Sequence, residues 1–160
     1  MADLASKAKD IGDNCACMKV RRTARTLSRL YDEHLRPLGL QTSQLTVLVA
    51  VARFGDGGAP FGRLADAIGM DRSTLTRNLL PLERDGLLRV ARDPDDARQR
   101  VVLLTRDGAR MIERAYPLWQ RAQEEVADSM GVRATAELAA NLERAFDALP
   151  GGREKSGRAP

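Results

Sequence analysis

The sequence reads as a mainly α-helical domain with one small β-hairpin, on three grounds. Apolar residues recur three and four apart over most of its 160 residues, the period of a helix with one buried face. Only two short apolar stretches, residues 87–90 and 101–104, flank a polar segment in the manner of a hairpin. Gly and Pro fall between the periodic stretches, where helices stop.

Taken in order, the opening MADLASKAKD lacks the apolar core of a signal peptide, and residues 1–13 are expected to form a flexible N-terminus. Asp13 or Asn14 can then cap a helix to about Leu35, whose stripe of Cys17, Val20, Ala24, Leu27, Tyr31 and Leu35 must be covered by something. Its other side carries Lys19, Arg22, Arg25 and Arg29, for which a solvated face is the simple account. After the Arg36-Pro37-Leu38-Gly39 break, Thr42 or Ser43 starts a second helix. Its Leu45, Val47, Leu48, Val49, Val51 and Ala52 are apolar nearly all round, which places it at the centre of the fold. A Gly-rich loop follows, then a short third helix with Leu64, Ala65 and Ile68 on one side, ended by Gly69.

Asp71 is placed to cap a fourth helix that turns Leu75, Leu79 and Leu82 to the core. At its start Arg72, Ser73, Thr74, Thr76 and Arg77 face outward. Pro81 should interrupt that helix with a kink near residues 77–81, because a mid-helix proline costs roughly 3 kcal/mol. Gly86 closes it, and the hairpin comes next with a charged tip over residues 92–100. Thr105 can cap a fifth helix bearing Met111, Ala115, Leu118, Trp119, Ala122 and Val126, bent at Pro117. Gly131 precedes a last helix with Leu138, Leu142, Ala145, Phe146 and Leu149, and residues 150–160 are expected to be a disordered tail. Nothing splits residues 14–149 into two domains.

Composition excludes several classes. With 43% hydrophobic and 30% charged residues the chain is neither disordered nor a disulfide miniprotein, and its longest apolar run, residues 47–52, cannot cross a membrane. A cytoplasmic location is the expectation. The formal charge of +4 permits nucleic-acid binding without requiring it. Its distribution says more: residues 19–36 carry a net +4 and residues 107–149 a net −3, while all nine basic residues between 61 and 106 are Arg. An Arg fork suits phosphate and guanine better than a Lys ammonium does. No Gly-rich phosphate loop, zinc-protease motif or nucleophile elbow is present, and with a single histidine an enzyme is not expected. Neither a cofactor nor a metal site is indicated, since Cys15, Cys17 and His34 do not make a tetrahedral set.

Helix, short helix, turn, helix, hairpin is the order of a winged helix-turn-helix. The text is sharper than the order: residues 63–77 (RLADAIGMDRSTLTR), 82–88 (LERDGLL), 93–98 (DPDDAR) and 101–108 (VVLLTRDG) resemble, in order and spacing, the DNA-binding core of the MarR family of bacterial transcriptional regulators. The resemblance implies a winged helix-turn-helix core over about residues 42–106 and dimerisation helices over about 14–36 and 106–149. It further implies a homodimer on a near-palindromic site in double-stranded DNA, usually as a repressor, released by a small aromatic or phenolic effector or by cysteine oxidation. An effector pocket would lie between the dimer helices and the core. Uncovered apolar stripes on the first and last helices are an independent motive for dimerisation, with a monomeric helical cap as the alternative.

Under that resemblance Ser73, Thr74, Thr76 and Arg77 fall on the exposed start of the recognition helix, Arg77 as the base reader and Arg72 on phosphate. Ser73 and Thr74 would meet phosphate or bases. Asp96 and Arg98 fall on the family's Asp-x-Arg wing element, where the Arg enters the minor groove and the Asp holds it, and Arg92 and Arg100 would add phosphate contacts. A charged tip kept for solubility is the plainer reading of the same residues. Cys17 resembles by position the thiol of the peroxide-sensing branch, with Arg21 one turn on. A small thiol packed in an interface explains it equally, and a winged helix used to bind protein stays a further alternative.

Overall fold

The computed structural model describes residues 2–93 and 99–150. Its elements are helices α1 (Ala2–Asn14), α2 (Ala16–Leu35), α3 (Thr42–Arg53), α4 (Phe61–Ala67), α5 (Arg72–Arg84), α6 (Arg106–Met130) and α7 (Val132–Ala148), with strands β1 (Ala59–Pro60), β2 (Leu88–Arg92) and β3 (Arg100–Leu104). The three strands form one antiparallel sheet in the order β1-β3-β2, so the expected hairpin carries a third strand that two residues were too short to announce. Fold class, mainly helical with a small sheet as a wing, is as the sequence indicated.

Three local expectations are corrected. Residues 2–14, expected to be flexible, form a helix. Alanines at positions 2, 5 and 8 favour it, and Lys7 to Asp3 and Lys9 to Asp13 are pairs spaced one turn apart. Asp13 and Asn14 do not cap α2, because their side chains are used within α1: Asp13 pairs with Lys9, and Asn14 donates to Asp10 at 2.6 Å. Cys15 holds the cap position instead, in extended backbone. Helix α3 starts at Thr42, one of the two expected positions, and is capped by Gln41, whose side chain and that of Gln44 bond each other's backbone N–H in a reciprocal box. Finally, α5 is not interrupted at Pro81 but runs through it to Arg84, and α6 is one helix through Pro117 to Met130. In α5, buried Leu79 and Leu82 bracket the proline and tie both turns to the core.

The core is built on α3, as expected, through Leu45, Val47, Leu48 and Val51, and it is closed by Leu64, Leu75, Leu82, Leu88 and Val102, each at most 2% exposed. Val49, read as central, is instead exposed at the rim of a cavity. No polar or charged residue is buried among the described residues, so the core is held by apolar burial. Three polar contacts fasten α2 to the rest: Tyr31 donates to Gln123 of α6, His34 Nε2 lies 2.8 Å from Glu125 of α6, and Asp32 accepts from the Thr42 N–H at 2.6 Å and hydroxyl at 2.7 Å. Asp32 thereby supplies the N-terminus of α3 with an acceptor from another helix.

Candidate nucleic-acid interface

The turn between α4 and α5 is set by Gly69, whose φ of 63° is the left-handed conformation that suits glycine. Two residues later Asp71 accepts the Thr74 N–H at 2.8 Å and starts α5 as expected. Its carboxylate does more than cap. It also accepts the hydroxyls of Ser73, at 2.6 Å, and Thr74, at 2.8 Å. The bond from Ser73, followed by those from Thr74, holds Asp71 well below the usual carboxylate range.

Arg72, Ser73 and Arg77 are exposed on this first part of α5, while Thr74 and Thr76 are half-buried. Arg77 lies back along its own helix, with Nε 3.4 Å from the Ser73 carbonyl and Nη2 3.5 Å from the Thr74 hydroxyl. Arg72 points toward α4, close enough that a Cβ on Gly62 would stand 3.7 Å from its Nη2.

On the wing, Arg92 and Arg100 face each other as the last paired residues of β2 and β3. Two like charges in register repel, and here Arg100 leans away: its guanidinium lies 4.4 Å from the centroid of Phe61, the first residue of α4. Arg100, expected to be a plain phosphate contact, therefore has a ring partner that also ties the wing to the helix-turn-helix. Asp96 and Arg98 lie outside the described residues. The other strand is braced by Glu83 of α5, which accepts the Val90 N–H at 3.0 Å.

Phe61 and Glu83 escaped sequence reasoning. An aromatic at a helix start three residues after a Gly-rich loop gives no hint of a wing contact, and a Glu before a hairpin resembles any solvated Glu. The Gln41-x-x-Gln44 spacing, by contrast, could have revealed the α3 cap.

A cavity of about 740 Å³ opens between α2, α3 and α6, where an effector pocket was expected. Leu27, Leu45, Val49, Ile112 and Trp119 make it mainly apolar, and among the described residues lining it Arg53 carries the one formal charge. Tyr116 stacks on Trp119 at 5.7 Å between ring centroids, and burial raises the Tyr31 hydroxyl above its ordinary pKa. Ile68, at the end of α4, also lines it, three residues ahead of Asp71.

Cys15 is half-buried and Cys17 exposed, both as free thiols. Among the described residues no group of three metal-ligating side chains converges, and no helix is long and apolar enough to cross a membrane.

A family model described as MarR family matches residues 38–99, which span α3 to the wing. Among solved structures, the transcriptional regulator MosR of M. tuberculosis is 38% identical and superimposes with a TM-score of 0.72, covering 86% of this chain and 98% of that one. MosR in complex with DNA gives 40% identity, a TM-score of 0.71, and coverage of 84% and 98%. A curated relative from Bacillus subtilis strain 168, the uncharacterized HTH-type transcriptional regulator YwoH, is 25% identical over 108 residues, which is 68% of this chain and 77% of that protein.

Proposed function

Because the chain belongs to the MarR family of transcriptional regulators, we propose that it is a cytoplasmic repressor that binds a near-palindromic operator in double-stranded DNA as a homodimer. Its relatives are regulators rather than enzymes. One observation carries the DNA reading. Arg72 from the start of α5 and Arg100 from the tip end of the wing strands both reach the N-terminus of α4, at Gly62 and Phe61, so the two DNA-facing elements meet on one basic edge. In this reading α5 enters the major groove with Arg77 toward a base, Arg72, Arg92 and Arg100 face phosphates, and the wing offers Arg98, held by Asp96, to the minor groove.

Exposed apolar surface supports the dimer. Val20 on α2 is 49% exposed, and Leu142 and Leu149, on α7 and just after it, are 41% and 63% exposed. A second copy laid on these faces would cover them. For the effector, the α2/α3/α6 cavity falls in the ligand-pocket range of roughly 300–1,000 Å³, and its Trp119 and Tyr116 beside Arg53 suit a small aromatic or phenolic molecule bearing negative charge.

The deciding experiment is fluorescence anisotropy on DNA from upstream of the protein's own gene, with excess unrelated DNA, at two salt concentrations, alongside light scattering for mass. Binding that survives competitor by a dimer is the expected result; binding erased by competitor and salt is non-specific electrostatics and refutes the specific-regulator reading for that DNA. Thiol control through Cys17 is a second reading, favoured by its exposure in the first turn of α2 with Arg21 one turn on. Peroxide that releases wild type from DNA but not Cys17→Ser would select it.

A further inference from the structure

The hydroxyls at the start of α5 are not free to choose how they bond. A serine or threonine hydroxyl has one proton and two lone pairs. Asp71 is an ionised carboxylate and can only accept, so the Ser73 and Thr74 protons both point at it, over 2.6 and 2.8 Å. Thr76 spends its proton on the Arg72 carbonyl at 2.8 Å. One lone pair of Thr74 already faces Arg77 Nη2. Ser73, exposed and one residue into the helix, is left showing lone pairs and no proton to whatever approaches.

That polarity is selective. Phosphate oxygens, guanine O6 and N7, adenine N7 and thymine O4 are acceptors, and an acceptor-only hydroxyl gains nothing from them. In the major groove only the cytosine N4 and adenine N6 amino groups donate. We propose that Asp71 makes Ser73 a reader of exocyclic amino groups, cytosine or adenine, by holding the serine hydroxyl as an acceptor, so that Asp71 is a positioning residue for sequence specificity as well as a helix cap. The inference rests on α5 entering the major groove. It also revises the expectation for Ser73 and Thr74, since neither hydroxyl can donate to a phosphate while bonded to Asp71.

Three variants test it by selection from a random-sequence DNA pool, each checked first for an unchanged helical spectrum. Wild type should enrich a position where an amino-bearing base is preferred, and Ser73→Ala should lose that preference by about fivefold, the worth of one hydrogen bond, while still binding. Asp71→Asn and Asp71→Gly remove the same charge, and both residues are tolerated caps. They differ in one respect. The Thr74 N–H and the Ser73 hydroxyl share one carboxylate oxygen, so the amide of Asn turns its oxygen there and Ser73 stays a donor to it. The preference should therefore survive in Asp71→Asn and relax in Asp71→Gly, where the serine proton is released.

Replacing the selected adenine by purine, or the selected cytosine by pyrimidin-2-one, deletes the amino group alone and tells the two bases apart. Wild type should lose affinity on the matching analogue, and Ser73→Ala should not. Loss in both Asp71 variants, or in neither, overturns the proposed role of Asp71. An unchanged preference in Ser73→Ala overturns the reading by Ser73. A wild-type pool with no enriched sequence refutes the DNA-reading premise itself, and is distinguished from the other failures by the absence of any motif.

Discussion

Replacing Gly108 by Ala should weaken this protein, although the same exchange inside a helix ordinarily gains up to about 1 kcal/mol. Gly108 is buried in the first turn of α6, where its N–H donates to the Thr105 hydroxyl at 3.0 Å. A Cβ there would stand 2.1 Å from the Leu87 carbonyl oxygen and 2.7 Å from Leu104 Cδ1. Ordinary carbon-to-oxygen contacts begin near 3.3 Å, so backbone has to move by roughly 1 Å. The Leu87 carbonyl is the acceptor for the Thr105 N–H at 3.2 Å, beside the Thr105 hydroxyl that bonds the Gly86 carbonyl at 2.7 Å, and it leads directly into β2. Overpacking of this kind costs about 1–3 kcal/mol, and weakening the Thr105 N–H bond adds about 1 kcal/mol. Set against the helix gain, the net loss is about 2 kcal/mol, a fall in Tm of about 4–8 °C for a chain of this length. Thermal unfolding followed by circular dichroism at one fixed protein concentration measures it, the fixed concentration because association shifts Tm. Gly12→Ala in α1, with nothing within 4 Å of the added Cβ, is the control and should leave Tm unchanged or slightly higher. A Gly108→Ala protein as stable as wild type would refute the close approach of α6 to the wing.

Arg77→Ala should weaken DNA binding and flatten sequence preference by about 1–3 kcal/mol of discrimination; a loss equal on all sequences in anisotropy titrations would make Arg77 a phosphate contact instead. Arg100→Met separates anchor from phosphate contact, because losing a phosphate contact lowers the slope of log affinity against log salt by about 1, whereas losing the stack on Phe61 lowers affinity at unchanged slope, as Phe61→Leu should also do. Asp71 bonds lower its folded pKa below the unfolded value. Its contribution is therefore complete above about pH 4 and is lost as pH falls further. Urea titrations should show a stability gap between wild type and Asp71→Ala that is constant from neutral pH down to about 5 and narrows in stronger acid.

What could be read directly from the chain was what neighbours in sequence determine. Helical period placed Leu45, Leu48, Leu75 and Leu82 in the core, Asp71 and Thr105 could be recognised as caps because a cap bonds the residue three positions on, and Gly69 and Gly86 as stops because a left-handed turn is a one-residue property. The motif spacing from residue 63 to 108 carried the family for the same reason. Local rules also misled where one residue had two uses: Asp13 and Asn14 looked like caps for α2 and were spent inside α1.

Tertiary structure decided whatever depends on distance between elements far apart in the chain. The Arg100 stack on Phe61 joins residues 39 apart and Tyr31 to Gln123 joins residues 92 apart, and neither partner carries a signal in its own segment. The cavity exists only because α2, α3 and α6 leave an apolar gap between them, which is why Val49, apolar and mid-helix, lines a pocket instead of the core. The direction of the Ser73 proton belongs to both levels. Sequence places an acid two residues before a serine, but only folded backbone brings the carboxylate to 2.6 Å, where the hydroxyl donates its proton to it and keeps only lone pairs for other partners.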